Sequence, residues 1–468
     1  MTNRKPDFPP PPYHNLDPAV CGGKLGEPVE TVRFAQAAAR SAHGRSELSK
    51  RGYAPDGKKN LRRFSTWEIC RYLIPLATAH FRRVLKAHPD LPQGEGSGGT
   101  RWFTLEEVLA LREHFATEGA SNKEYKPWRP EGVQAKVTAV ANFKGGVGKT
   151  STAAHLAMAA ALDGYRVLVI DLDSQGSMTS IMGGDVPDEW STIFPLLARD
   201  YARAVSQRNR IREAEGLPPL PLDETMTAAL DVNAADVIQK THWPNIDLIG
   251  AQLNLYWAEF QIPVWRMQMR DWPLWDALPN FLATEGILDD YDIVILDTPP
   301  ALGYLTINAL SAADILLVPL GASFLEFDST GRFFDMLHAT FASIEEGDNA
   351  QRRAAGLPEQ RFEWDAVRTI LTRYDAGQQA DMANVIQAYF DTLMSPHRQE
   401  FTALVGQAGE RVSGIYEADP RDFNRDTYLR GRDAFDRTYA DFKELLLGCW
   451  WRDAQMAKAD GTKTEEDI

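Results

Sequence analysis

Asn142-Phe-Lys-Gly-Gly-Val-Gly-Lys-Thr150 is the stretch on which the reading of this chain turns. It follows an apolar, β-rich run, Val137-Thr-Ala-Val-Ala141, and precedes an alanine- and leucine-rich helical segment from Ser151 to Leu162. Strand, Gly-rich turn and helix in that order are the setting of a phosphate-binding loop. Gly145, Gly146 and Gly148 let the backbone approach an anion with successive N–H groups turned inward. The helix N-terminus adds partial positive charge. In such a loop Lys149 reaches the β- and γ-phosphates and Thr150 offers its hydroxyl to Mg²⁺, with Val147 and Ser151 beside them.

Two later segments deliver carboxylates to the same place. Tyr165-Arg-Val-Leu-Val-Ile-Asp171-Leu-Asp173-Ser-Gln-Gly is an apolar strand ending in two acids, and Gly164 stands where a helix C-cap glycine belongs. Alternation puts Asp171 and Asp173 on one side of the strand end, facing the loop. Tyr291-Asp-Ile-Val-Ile-Leu-Asp297-Thr-Pro-Pro repeats the design. Mg²⁺ takes oxygen ligands and keeps several waters, so these carboxylates are expected to act through water.

The loop has a second lysine, Lys144, and Phe143 where the common form has glycine. This resembles the deviant Walker A motif of partition-type and septum-site ATPases. Asp297-Thr-Pro-Pro-Ala-Leu-Gly-Tyr-Leu-Thr-Ile-Asn-Ala-Leu resembles the Walker B and switch region of the ParA family. Asp171-Leu-Asp-Ser-Gln-Gly-Ser is similar to its second acidic motif, with Ser174 in place of the usual proline. The resemblance runs from about Lys136 to Trp450. Ile370-Leu-Thr-Arg-Tyr-Asp resembles a family strand leading towards the base-binding side, and Gly409 to Trp451 is similar to RepA-type members. The resemblance implies ATP/ADP and Mg²⁺ as ligands, Lys149 binding phosphate in cis and Lys144 in trans. It implies Mg²⁺ held by Thr150, Asp171 and Asp297, and attacking water positioned by Asp173.

Composition agrees with a large α/β protein. The 468 residues suffice for two or three domains, and 44% hydrophobic content supports a sizeable core. No apolar stretch is long enough to span a membrane, and Pro9 to Pro12 at the front do not form a secretory signal. Cys21, Cys70 and Cys449 are too scattered for a metal or disulfide framework, which argues for a cytoplasmic location and against an iron–sulfur relative. Residues 1–130 carry 21 Lys/Arg against 14 Asp/Glu; the rest carries 29 against 51, a net of −22. A basic front on an acidic body suggests nucleic-acid contact at the front.

Residues 1–60 read as a partly ordered extension with a weak helical pattern from Val29 to Ala42. Residues 61–118 have the order helix, turn, basic helix, Gly-tipped loop, strand, helix. Ser65-Thr-Trp-Glu68 and Thr104-Leu-Glu-Glu107 are capping-box signatures. The order resembles the MerR-like winged helix-turn-helix domain in front of the larger partition ATPases, although Ile74-Pro75 makes the turn irregular. His80, Arg82 and Arg83 on the basic helix, and Arg101 on the wing, are the expected DNA contacts; a small packing domain is the alternative. Residues 119–134 read as a linker, 135–452 as the ATPase domain, and 453–468 as a polar tail. An excursion at about 184–245 is expected to cover the nucleotide or extend a dimer interface, and Asn245 to Phe260 to return to a strand.

Apolar strands alternating with helical patterns predict an α/β, doubly wound, mostly parallel sheet with nucleotide at the carboxyl ends of its strands. Function, by resemblance, is that of a partition ATPase forming an ATP-dependent homodimer. It would bind non-specific DNA through a late basic surface including Arg430, Arg432 and Arg437, meet a ParB-like centromere-binding partner, and repress its own operon through the front domain. Other readings are a nucleotide-regulated operator-binding repressor, a septum-site regulator and a biosynthetic amide ligase. The second needs a basic amphipathic C-terminal helix, whereas this chain ends Glu-Glu-Asp-Ile.

Overall fold

The computed structural model describes residues 34, 37–41, 43–44, 59–96, 101–117, 125, 127–354, 356–410 and 412–463. Most of the 1–60 extension and the last five residues lie outside them. A small antiparallel pair, β1 (Phe64–Ser65) with β2 (Trp102–Phe103), belongs to the front unit. The main sheet has eight strands in the order β10-β9-β8-β3-β7-β4-β6-β5. In chain order these are β3 (Lys136–Val140), β4 (Val167–Asp171), β5 (Gln239–Lys240), β6 (Ile246–Ile249), β7 (Ile293–Asp297), β8 (Ile315–Gly321), β9 (Ala366–Tyr374) and β10 (Met394–Glu400). Every pairing is parallel except that of β5 with β6. β3, β4, β7 and β8 are buried throughout, as strands covered on both faces by helices must be.

Each carboxylate-bearing strand ends level with the loop. Val140 pairs with Asp297, and Asp297 with Asp171, so β3, β7 and β4 finish side by side. The helix Lys149–Leu162 follows the loop and is buried on almost every side, its alanines letting the sheet and the last helix approach closely. It ends as the sequence predicts: Gly164 adopts φ +98°, and the N–H groups of Gly164 and Tyr165 donate to Ala161 and Ala160 carbonyls.

The front unit shares a core with the ATPase. Phe64, Phe81, Phe103 and Phe115 belong to one buried cluster with the alanine-rich helix and Trp450 of the last helix. Both capping boxes form, with Ser65 and Glu68 bonded reciprocally, and Thr104 and Glu107 likewise. The first helix is only Thr66–Glu68 and continues as a π-turn, Ile69–Leu73, before the basic helix Thr78–Ala87. The described part of the segment expected as a linker, residues 125 and 127–134, is packed down. Arg129 donates to the carbonyls of Leu288, Asp289 and Tyr291, and the Tyr125 hydroxyl donates to Pro75 O. Arg112, buried, binds Tyr125 O, Leu73 O and, at 2.6 Å, Asp163 at the end of the loop helix.

The excursion takes shape, and two expectations change. It is a helix, Phe194–Ala214, followed by two short ones, Glu224–Ala229 and Ala234–Val237. It packs beside the helix Ala277–Thr284 through Arg199–Glu285 and Asp200–Asn280 contacts, and its apolar face joins the core against the sheet. The strand after Asn245 stops at Ile249, and Leu253–Trp257 is a 3₁₀ turn opening the helix Ala258–Gln268. The last helix, Arg425–Lys463, runs through the segment read as a polar tail. Asp453 in that segment joins Asp365 in holding buried Lys136 at the start of β3, both at 2.6 Å. No helix among the described residues is long and apolar enough to cross a membrane.

Candidate nucleotide and metal site

Asn142 leaves the sheet buried, its amide donating to Pro319 O at 2.9 Å while its carbonyl oxygen accepts from Lys144 N at 3.1 Å. Phe143, in the place of the common glycine, packs edge-on against Phe333 at 5.4 Å. Gly146 and Gly148 adopt φ +75° and +86°, values that L side chains rarely take. The loop is braced from behind by β9, where the Thr372 hydroxyl donates to Val147 O at 2.7 Å and Arg373 donates to Gly146 O at 2.8 Å. The carbonyls of Gly146 and Val147 are thus occupied from behind.

Lys149 is buried, donates to Lys144 O at 3.1 Å, and has its pKa lowered by burial against the pull of Asp297 and Asp173. Lys144 is half-buried, and no ionic partner of its ammonium is seen among the described residues. Asp171 is fully buried and accepts from the Thr179 hydroxyl at 2.7 Å, Thr179 N at 2.9 Å and Asp173 N at 3.1 Å. Burial pushes its pKa up to about 7 despite those bonds. Asp297 is also fully buried, and neither of its oxygens accepts a well-aligned hydrogen bond among the described residues. Burial first, then the neighbouring Asp171, raises its pKa well above the carboxylate range; the Thr150 hydroxyl and Lys149 pull the other way. A carboxylate this exposed to its neighbours' charge and this short of donors fits a cation, with Thr150 beside it.

Asp173 lies beyond the strand, in the turn. Its Oδ1 accepts from Gln175 N at 3.0 Å and its carbonyl from Gly176 N at 2.9 Å, a side-chain-held turn that does the work proline would do at Ser174. Gly176 is required there, since a Cβ would sit 2.8 Å from Ala251 O. A cavity of about 550 Å³ opens between Asp173 and the switch residues Pro299 and Pro300. Glu259 forms its far wall and caps the switch helix Tyr304–Ala312 by accepting from Tyr304 N at 2.7 Å and Leu305 N at 3.1 Å.

The structure brings together Lys144 to Ser151, Asp171, Asp173 and Asp297. Sequence reading missed Thr179, Glu259, Thr372 and Arg373; the last three lay in segments it had singled out only as strands, and Thr179 in none. The DNA candidates divide. His80, Arg82 and Arg83 are exposed on one helix whose Phe81 and Leu85 are buried. Arg101 is exposed and binds Gln93 O and Oε1, both at 3.0 Å. Residues 97–100 of that loop lie outside the described residues. Arg430 and Arg437 are exposed, Arg437 pairing with Asp433. Arg432 is not a surface residue: it is 3% exposed, lies over the rings of Tyr72 and Tyr416 at 4.0 and 5.2 Å, and pairs with Asp436. Its guanidinium joins the front unit to the ATPase and is out of reach of DNA.

The chain has relatives among known proteins. Residues 135–346 match a family described as AAA domain. A provisionally named replication protein A of Sinorhizobium fredii is 32% identical over 413 residues, 86% of this chain and 91% of the relative. Protein SopA of Escherichia coli is 28% identical over 371 residues, 78% of this chain and 83% of SopA. A solved structure named Partition Protein superposes with a TM-score of 0.53 at 16% identity, over 88% of this chain and 98% of its own, a likeness of fold. With the phosphate loop, two acidic strand ends and a mostly parallel sheet in one frame, and with relatives matched over nearly their full length, the chain belongs to the ParA family of partition ATPases.

Proposed function

We propose that this protein is an ATP-driven DNA-segregation ATPase that dimerises around ATP, holds non-specific DNA in that state, and hydrolyses ATP slowly until DNA and a ParB-like partner stimulate it. Asp297 is the observation that carries the reading: a fully buried carboxylate beside Thr150 and Lys149, its oxygens accepting no well-aligned hydrogen bond among the described residues, has little purpose without a cation. Thr150, Asp171 and Asp297 would hold Mg²⁺, which when bound supplies positive charge to the β- and γ-phosphate oxygens. The loop amides from Gly145 to Ser151 cradle the phosphates, and Lys149 neutralises them in cis. Asp173, at the open cavity, orients the attacking water. Lys144, its ammonium unpaired within the described chain, reaches the nucleotide of a second copy.

The front unit would read the operator through His80, Arg82 and Arg83, with Arg101 fixing the adjoining loop, in a winged helix-turn-helix arrangement. Arg430 and Arg437 are the remaining contacts for non-specific DNA, and the working location is the nucleoid in the cytoplasm. Retention on non-specific duplex DNA with ATP, ADP or no nucleotide tests this. ATP-specific retention is expected. Operator binding without any ATP-specific retention would favour the second reading, a repressor for which nucleotide is only an effector; that reading draws on the exposed basic helix.

A further inference from the structure

The turn that follows Asp297 is held from outside itself. Residues 298–303 lead from the buried end of β7 to the switch helix Tyr304–Ala312. The Thr298 hydroxyl fixes the near end by donating to Val140 O at 2.9 Å. At the other end the N-cap is Gly303, which has no side chain with which to cap the helix. Glu259, in the first turn of the helix Ala258–Gln268, caps it instead: Oε2 accepts from Tyr304 N at 2.7 Å and Oε1 from Leu305 N at 3.1 Å. The fit is close, since a Cβ on Gly303 would stand 2.5 Å from Glu259 Oε1. The Thr306 hydroxyl donates to Ala301 O at 2.6 Å, so the turn and the start of the helix move together. The body of that helix has its own anchors. Leu305, Ala309 and Leu310 are buried, and Asn308 donates to Leu274 O and accepts from Leu278 N.

Glu259 and Asp173 line the same cavity of about 550 Å³, together with Pro299 and Pro300. A carboxylate at a helix N-terminus answers N–H groups that have no partner within the helix, and it meets the positive end of the helix dipole. With both oxygens engaged by main-chain N–H groups, Glu259 is not the group that takes a proton from water. What it can do is fix the turn. Pro299 and Pro300 restrict the backbone at their own positions, so the turn behaves as a stiff piece between Thr298 and the cap. Freed at one end, it would shift relative to Asp297 and Asp173. We infer that Glu259 is a positioning residue for ATP hydrolysis, holding the 298–303 turn at the cavity that Asp173 lines. The inference rests on the ATPase reading above. The bonds of Glu259 go to the switch helix and, among the described residues, none goes to the phosphate loop, so nucleotide affinity should not depend on it.

Steady-state ATP hydrolysis by the full-length protein with duplex DNA present, wild type against Glu259→Gln and Gly303→Ala, tests this. Glutamine keeps the size of Glu259 but turns its own N–H donors onto one of the two main-chain N–H groups. The methyl of Gly303→Ala evicts the carboxylate from the opposite side. Each variant should lower kcat by about ten- to a hundredfold, the scale of a misplaced reacting group, with KM for ATP within about twofold of wild type. Thermal unfolding as cooperative as that of wild type will show that the variants fold, because the body of the switch helix is anchored without Glu259. A kcat for Glu259→Gln within about twofold of wild type, or a KM raised more than about tenfold, would overturn the inference. Wild type that hydrolyses no ATP is a distinct result: it would overturn the ATPase reading itself, and this role for Glu259 with it.

Discussion

Asp171 and Asp297 are buried where an ionised carboxylate is poorly solvated, and pH should expose this. An unfolded aspartate titrates near ~4, whereas folded Asp171 holds its proton to about 7. Between those values the folded chain binds more protons than the unfolded one, so stability falls as pH rises from about 4 towards about 7 and loses nothing below that window. Urea unfolding without Mg²⁺ should show this decline, and Asp297→Asn should make it shallower; parallel profiles would contradict the assignment. Lys149→Ala should abolish ATP binding in a nucleotide titration, because the phosphates lose their cis cation, and unchanged affinity would overturn the phosphate-loop assignment. Arg432→Ala should cost about 2 kcal/mol of stability, the scale of a desolvated guanidinium stacked on aromatic rings, here those of Tyr72 and Tyr416. If that variant instead unfolds as wild type and loses only DNA retention, Arg432 is a surface contact after all.

Among the elements, those with a local signature were legible. The phosphate loop, two acidic strand ends, two capping boxes and the Gly164 cap each depend on residues within a few positions, and each forms where the sequence puts it. Contacts set by strand order were not. Thr372 and Arg373 brace the loop from more than two hundred residues away because β8 alone separates β9 from β3. Arg432 looked solvent-facing because its own helix is rich in charge; the rings that cover it, Tyr72 and Tyr416, belong to other elements. The strand expected through Phe260 ended at Ile249 because aromatic residues there serve a 3₁₀ turn whose side chains are largely exposed. The basic helix Thr78–Ala87 keeps His80, Arg82, Arg83 and Lys86 exposed, as a nucleic-acid contact needs. Arg82→Ala with Arg83→Ala should weaken operator binding and lower its salt slope by about one unit per lost phosphate contact. ATPase activity without DNA should persist. An unchanged slope would make this unit a packing domain.

At the scale of the molecule, front unit, sheet and last helix share one core, so the front unit and the candidate nucleotide site belong to one joined body. Arg112, Tyr439 and Lys443 meet on Asp163, at the end of the helix that begins with Lys149, and their charges hold its pKa down despite burial. In the proposed dimer an acidic body has to bring two copies together around anionic nucleotide, and Lys144 is the residue proposed for that role. With Lys149 proposed to serve the phosphates in cis, the second ammonium, which has no ionic partner among the described residues, would reach a neighbour's ATP. Charge-assisted contacts are worth roughly 1.5–3 kcal/mol each, and a symmetric pair makes two. Sedimentation of wild type and Lys144→Ala with ATP and Mg²⁺ tests the shared-nucleotide dimer most directly. Wild type should form an ATP-dependent dimer, and Lys144→Ala should bind ATP yet remain monomeric; dimers of Lys144→Ala as tight as wild type would contradict it.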